Sequence, residues 1–284
     1  MDVDPGSSPR TPRLLAPDAP LGVFDSGLGG LTVVRALRER CPQEDIVYLG
    51  DTARVPYGTR SPETIIRYAL GCSRVLTGRG VKAIVVACNT VSAVALDMMR
   101  VELDLPVLGV ILPGARAAVA ASAGRAIGVL GTTGTIVSGA YPRAIAALST
   151  RTEVIGQAAP LFVPLAEEGW TEGEVPHLVA RRYLAPVIQA GARCLVLGCT
   201  HYPLLRAVIE AEAAALAGEP VAVVDSALAT AAEVAAFLAE RGYGAQRDRP
   251  GSLDLLVTDL PKSFASVAER FLGEPALHVE QIDL

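Results

Sequence analysis

Nine short runs rich in Val, Ile and Leu recur along the chain, at 21–25, 46–51, 83–88, 107–110, 126–131, 153–158, 194–199, 221–225 and 253–258. Most are apolar throughout instead of alternating with polar residues, so they read as strands covered on both faces. The stretches between them are long enough for a crossover helix, the connection that parallel strands require. The expected class is α/β, doubly wound, with largely parallel sheets. A chain of 284 residues with 51% hydrophobic content can bury one large core, or two modest ones each in its own domain.

A repeat narrows this choice. The segment GVKAIVVACNT at 80–90 lies over GARCLVLGCTH at 191–201, a spacing of 111 residues. LGVFDSG at 21–27 weakly echoes IGVLGTT at 127–133, at a spacing of 106. Two similar α/β halves are implied, and the cysteine-bearing copy carries that reading. Each half then places a cysteine, Cys88 or Cys199, at the carboxyl end of a parallel strand, where open α/β sheets bind their ligands. If the halves face each other across a cleft, so do the cysteines.

Composition excludes several function classes. A net charge of −5 without any long basic run lacks the electrostatic footprint of a nucleic-acid binder, so nucleic acid is not expected as a primary partner. The apolar runs fall far short of the roughly 20 residues that span a bilayer, so no membrane partner is expected either. The first twenty residues hold five prolines, with Gly6, Ser7 and Ser8 between them, and no apolar centre like that of a signal peptide; residues 1–20 read as a disordered tail. Five cysteines form an odd set without a CxxC pair, which argues against a disulfide framework and a structural zinc site and for a reducing, cytoplasmic compartment.

Cys88 and Cys199 each precede small polar residues, Asn89 and Thr90 or Thr200 and His201, that open a helix. Helix-terminal N–H groups lower a thiol's pKa and favour a usable thiolate, whereas an anionic Asp25 near a thiol favours its neutral form, so the sequence ranks neither resting state. Buried free cysteine is the ordinary alternative, accepted for Cys41, Cys72 and Cys194. Asp25 ends the first run and enters the glycine-rich loop Ser26–Gly30, a setting for an anion-binding turn, with a simple helix cap as the plain reading. That loop lacks the dinucleotide GxGxxG spacing and a phosphate-loop lysine. His201 lies two residues past Cys199, where an imidazole with a pKa in the working range can exchange or orient the thiol's proton. His177 and His278 are without polar companions in sequence and receive no role. A zinc site built from Asp25, Cys88, Cys199 and His201 would contain no local pair with metal-ligand spacing. A Cys-His nucleophile would leave the second cysteine unused.

With these residues in view, the chain resembles the glutamate racemase family of the aspartate/glutamate racemase fold. The resemblance spans about 21–275 and rests on FDSGLGGLT at 24–32, DTARVPYG at 51–58, ACNT at 87–90, GVI at 109–111 with PGAR at 113–116, and GCTHYP at 198–203. It implies two-base racemisation without cofactor or metal, supplying D-glutamate for peptidoglycan. By motif, Cys88 takes the α-proton of D-glutamate with help from Asp25, and Cys199 that of L-glutamate with help from His201 and from Glu167 in PLAEE at 164–168. Substrate contacts are implied for Asp25, Ser26, Tyr57, Gly58, Asn89, Thr90, Thr132, Thr135, Thr200 and His201. The resemblance also implies that the second domain is inserted in the first. The expected division is 21–113 with 226–284 against 114–225, with glutamate as the small-molecule partner and a homodimer as the candidate assembly. Ala166 departs from the family, where a Val commonly precedes the motif's Glu.

Inversion of an α-carbon needs deprotonation on one face and reprotonation on the other, which suits two groups of similar pKa on opposite sides. Without an electron sink, the developing carbanion must be stabilised by fixed donors around the α-carboxylate. Three alternatives remain open at this point: a two-lobed protein that merely closes on glutamate, an aspartate racemase and a related decarboxylase.

Overall fold

The structure is a computed structural model that describes residues 16–275 and 278–284. Among the described residues ten strands form two sheets. They are β1 (Leu21–Asp25), β2 (Ile46–Gly50), β3 (Ala83–Val86), β4 (Val107–Gly109), β5 (Ala126–Gly131), β6 (Val154–Ala158), β7 (Ala192–Gly198), β8 (Ala222–Asp225), β9 (Leu253–Val257) and β10 (Val279–Gln281). The first sheet runs β10-β9-β2-β1-β3-β4 and the second β6-β5-β7-β8. Every pairing is parallel, as the continuous apolar runs require. The order β2-β1-β3-β4 is reproduced as β6-β5-β7-β8, so both sequence echoes, β3 with β7 and β1 with β5, fall on equivalent strands. β10, a short edge strand, has no counterpart among the nine runs.

Alternation along these strands divides the interior into three layers. Val85 of β3 and Val196 of β7 join one core between the sheets. Their neighbours Ile84, Val86 and Cys88 face the outer layer of the first sheet, and Leu195, Leu197 and Cys199 that of the second. The two cysteines thus hold equivalent positions just past the ends of equivalent strands. Each half keeps an outer core of its own, and the two halves also share one. The middle layer is shared, because Ala115 and Ala118 on helix Ile111–Ser122 and Ala227 and Ala231 on helix Ser226–Arg241 let backbones approach closely. The first of these helices packs on β7 and on the second, which packs in turn on helix Leu31–Arg40.

The amino-terminal ends of the strands are fastened by a buried charge. Lys82, just before β3, lies 2.5 Å from Glu44 Oε2 with both side chains buried. Its Nζ also donates to Pro17 O at 2.6 Å and Tyr243 O at 2.7 Å, while Glu44 Oε1 accepts from Ala245 N at 2.8 Å. The disordered tail expected over 1–20 lies outside the described residues as far as residue 15. Residues 16–20 are held in place: besides the Lys82 contact, Arg247 donates to Asp18 O at 2.7 Å and Gln246 N donates to Asp18 Oδ1 at 3.0 Å. Among the described residues no helix is long and apolar enough to cross a membrane.

Candidate active site

Several expected strands run a residue or two too far at their carboxyl ends, because there the chain leaves the ladder to build a cavity. β3 stops at Val86, and Cys88 becomes the residue before helix Asn89–Val94. β7 stops at Gly198, and Cys199, Thr200 and His201 form a turn into the short helix Tyr202–Leu205. Both cysteines are buried and line one cavity of about 280 Å³. The first half also contributes Ser26, Tyr57, Gly58, Asn89 and Thr90, and the second Thr132, Glu167, Thr200 and His201. Eleven of the thirteen residues implied by the family motifs therefore meet in one place; Asp25 and Thr135 lie behind the wall.

On the Cys88 side, Ser26 Oγ lies 3.3 Å from the sulfur. Asp25 is fully buried, its Oδ2 accepting from Gly27 N at 2.9 Å and its Oδ1 without a hydrogen-bond partner. Burial raises the Asp25 pKa, opposed by the nearby His201 charge and by backbone N–H groups. Burial, reinforced by Asp25, also pushes the Cys88 thiol up to about 12. Of the two opposed influences left open by the sequence, desolvation and the neighbouring carboxylate outweigh the opening of a six-residue helix. The raised pKa favours the neutral thiol, an acid holding a proton. Asp25 is not a helix cap either, since the helix starts at Leu31 with Gly30 before it.

On the other side His201 Nδ1 lies 3.8 Å from Cys199 Sγ, and its Nε2 2.9 Å from Glu167 Oε1. The ring meets Phe271 edge-on, with centroids 5.0 Å apart. Burial alone would lower the His201 pKa, but hydrogen bonds to Cys199 and Glu167 and their charges raise it to about 10. The net effect favours the imidazolium and carries His201 above the range expected from its sequence setting. The sides are asymmetric: a carboxyl group backs Cys88, and an imidazole backs Cys199.

The remaining wall offers donors and a rigid frame. Thr90 Oγ1 lies 2.9 Å from Thr132 Oγ1 and 3.2 Å from Thr135 Oγ1, and the last two are 3.1 Å apart, a hydroxyl triangle that joins the halves. The Tyr57 hydroxyl is committed to Asp51, so Tyr57 offers its ring and backbone to a ligand and not its O–H. Asp51 also accepts from Arg54 Nε at 2.6 Å and Thr258 Oγ1 at 2.8 Å, which pins the 52–58 loop. The glycine-rich loop serves close approach: a Cβ on Gly29 would lie 2.3 Å from Thr200 Oγ1 and 2.5 Å from His201 Nδ1. Among the described residues no group of three or more His, Cys, Asp or Glu side chains is arranged to hold a metal.

Gly27, Val55, Pro56 and Val163 also line the cavity, and sequence reasoning assigned them nothing. The first three lie inside quoted motifs. Val163 sits one helical turn before Glu167 on helix Phe162–Glu168, a spacing that would have found it. The departing Ala166 is fully buried in the shared core and lines nothing. His177 does have a polar companion: its Nδ1 lies 2.9 Å from Glu212 Oε1, far away in sequence and therefore invisible to local reading.

Comparison with known proteins decides the family. The model of the Asp/Glu/Hydantoin racemase family matches residues 31–234. The glutamate racemase of Geobacter metallireducens is 50% identical over 264 residues, covering 93% of this chain and 96% of that one. The chain belongs to the glutamate racemase family. It is an amino-acid racemase, an isomerase. The crystal structure of the Thermus thermophilus glutamate racemase in complex with β-chloro-D-alanine superposes on this racemase with a TM-score of 0.84 at 44% identity, covering 95% of this chain and 98% of that chain. That of the Francisella tularensis enzyme in complex with D-glutamate gives 0.86 at 37% identity, covering 94% and 98%.

Proposed function

We propose that this racemase interconverts L-glutamate and D-glutamate with Cys199 and Cys88 as opposed acid and base, Cys199 taking the α-proton of the L-enantiomer and Cys88 that of the D-enantiomer. The observation that carries the reading is that two cysteines at equivalent positions of duplicated half-sheets line one cavity. When L-glutamate reacts, the proton leaves toward Cys199, where the His201 imidazolium stabilises charge on the sulfur and Glu167 holds the ring. Cys88 then delivers its own proton to the opposite face, and Asp25 and Ser26 assist it. In the reverse direction the roles exchange. Asn89, Thr90, Thr132 and Thr200 supply donors to a carboxylate whose charge grows as the carbanion forms, fixed before the reaction starts. Asp25, Ser26, Tyr57, Gly58, Thr135 and His201 complete the binding set, Thr135 through its hydroxyl partners. No step in this scheme calls on a cofactor or a metal. The D-glutamate complex of the Francisella relative supports the substrate.

The D-glutamate made is used for peptidoglycan, the family's role, and the compartment we assign is the cytoplasm, consistent with five free cysteines. Residues 21–113 with 226–284 and residues 114–225 are the two domains we assign, one around each sheet. Every group in the scheme lies on one chain, so the proposed homodimer is not needed to complete the site. Enantiomers have equal free energy in water, so purified protein given L-glutamate alone should carry the optical rotation to zero. Rotation that persists with glutamate while it decays with aspartate would overturn the substrate assignment.

A further inference from the structure

Asn89 follows Cys88 directly and is 2% exposed. Its Oδ1 accepts from the Tyr141 hydroxyl at 2.8 Å, and its Nδ2 is buried without a hydrogen-bond partner. A primary amide can exchange its oxygen and nitrogen by a half-turn at almost no steric cost, so only its partners decide which atom points where. Tyr141 makes that decision from the other half of the molecule, on helix Ala140–Leu148. It is 1% exposed, and two glycines leave it room: a Cβ on Gly114 would lie 3.1 Å from its hydroxyl, and one on Gly198 3.2 Å from its ring. Burial raises the Tyr141 pKa well above the ordinary value, so the phenol keeps its proton and donates.

We infer that Tyr141 is a positioning residue: its hydroxyl holds Asn89 Oδ1 and thereby commits Nδ2 to the cavity, as a donor to the substrate α-carboxylate. The unpartnered Nδ2 is what points to a ligand, because a buried donor left unsatisfied costs stability that an incoming carboxylate removes. The inference rests on the glutamate reaction proposed above. It assigns a task to a side chain that lines no part of the cavity, and makes the site depend on contact between the halves.

Tyr141→Phe keeps the ring and removes the bond to Asn89 together with the hydroxyl's contact to Ser226. Loss of one fixed donor that strengthens as charge develops should appear mainly in kcat, with kcat/KM down by about tenfold. The fall must be equal for L- and D-glutamate, because their equilibrium constant is one. Asn89→Ala, which leaves Tyr141 and its packing in place, should show the same kcat-led loss. Adding Tyr141→Phe to Asn89→Ala should then change kcat/KM no further, whereas a purely structural role would repeat its full cost in that background. Wild-type-like kcat/KM in Tyr141→Phe, or additive losses in the double variant, would overturn the inference. Wild-type protein assayed alongside separates the two readings: if it does not racemise glutamate, the proposed reaction fails, and if it does while Tyr141→Phe is unimpaired, only the positioning role fails.

Discussion

Replacing Cys88 or Cys199 by alanine should lower racemisation of glutamate by at least about 10²- to 10⁴-fold, the contribution of a positioned acid or base. Each direction of the reaction uses both thiols, one to take the α-proton and one to give a proton to the opposite face. Loss of either must therefore impair L-to-D and D-to-L turnover alike, and the unit equilibrium constant forces the two kcat/KM values to fall together. The other buried cysteines are the controls. Cys72 receives a long contact from Arg54 at 3.7 Å, and Cys194 donates to Ala118 O at 3.7 Å in the shared core. Cys72→Ala and Cys194→Ala should cost packing and leave turnover per folded molecule close to wild type. Chromatographic separation of the enantiomers over time reads all four variants, and near-normal rates from Cys88→Ala or Cys199→Ala would end the two-thiol account.

The second large effect is on stability. Lys82→Met should lose roughly 3–5 kcal/mol of unfolding free energy, because it leaves the Glu44 carboxylate buried opposite an apolar chain. The same substitution frees the Pro17 and Tyr243 carbonyls, so three segments lose their common anchor. Removing both charges, as in Lys82→Met with Glu44→Leu, should recover much of the loss, since an apolar pair of similar volume often replaces a buried ion pair with little cost. Urea unfolding measures both variants. This anchor lies at the amino-terminal ends of the strands and the cavity at their carboxyl ends, so the folded fraction should keep its activity. A Lys82→Met protein within about 1 kcal/mol of wild type would show that the pair contributes little.

Much of the fold and of the site is legible in the sequence because it is written locally. Unbroken Val, Ile and Leu runs mark doubly covered parallel strands, and the repeat around Cys88 and Cys199 marks two half-sheets with one topology. The features that are not legible all depend on partners distant in sequence. The sequence offers two opposed influences on Cys88, and only its burial decides for the raised pKa; nothing near His201 shows that Cys199 and Glu167 raise its own. The commitment of the Tyr57 hydroxyl to Asp51, the hold of Tyr141 on Asn89 and the His177–Glu212 pair follow from tertiary packing alone. The shared core is hidden for a similar reason: alanines such as Ala115 and Ala231 look ordinary in sequence and become informative only when two helices meet over them. β10 is three residues long, too short for any periodicity to register.

The central claim is that two monoprotic thiols act on opposite faces, and the fate of the α-hydrogen in deuterium oxide tests it most directly. The proton taken from L-glutamate stays on Cys199, while Cys88 delivers a deuteron acquired from solvent. In the first few per cent of turnover, D-glutamate formed from L-glutamate should be almost fully deuterated at the α-carbon, and the remaining L-glutamate should keep its hydrogen. Substantial substrate-derived hydrogen in the first-formed D-glutamate would mean that a single base carries the proton from face to face, and would contradict the account.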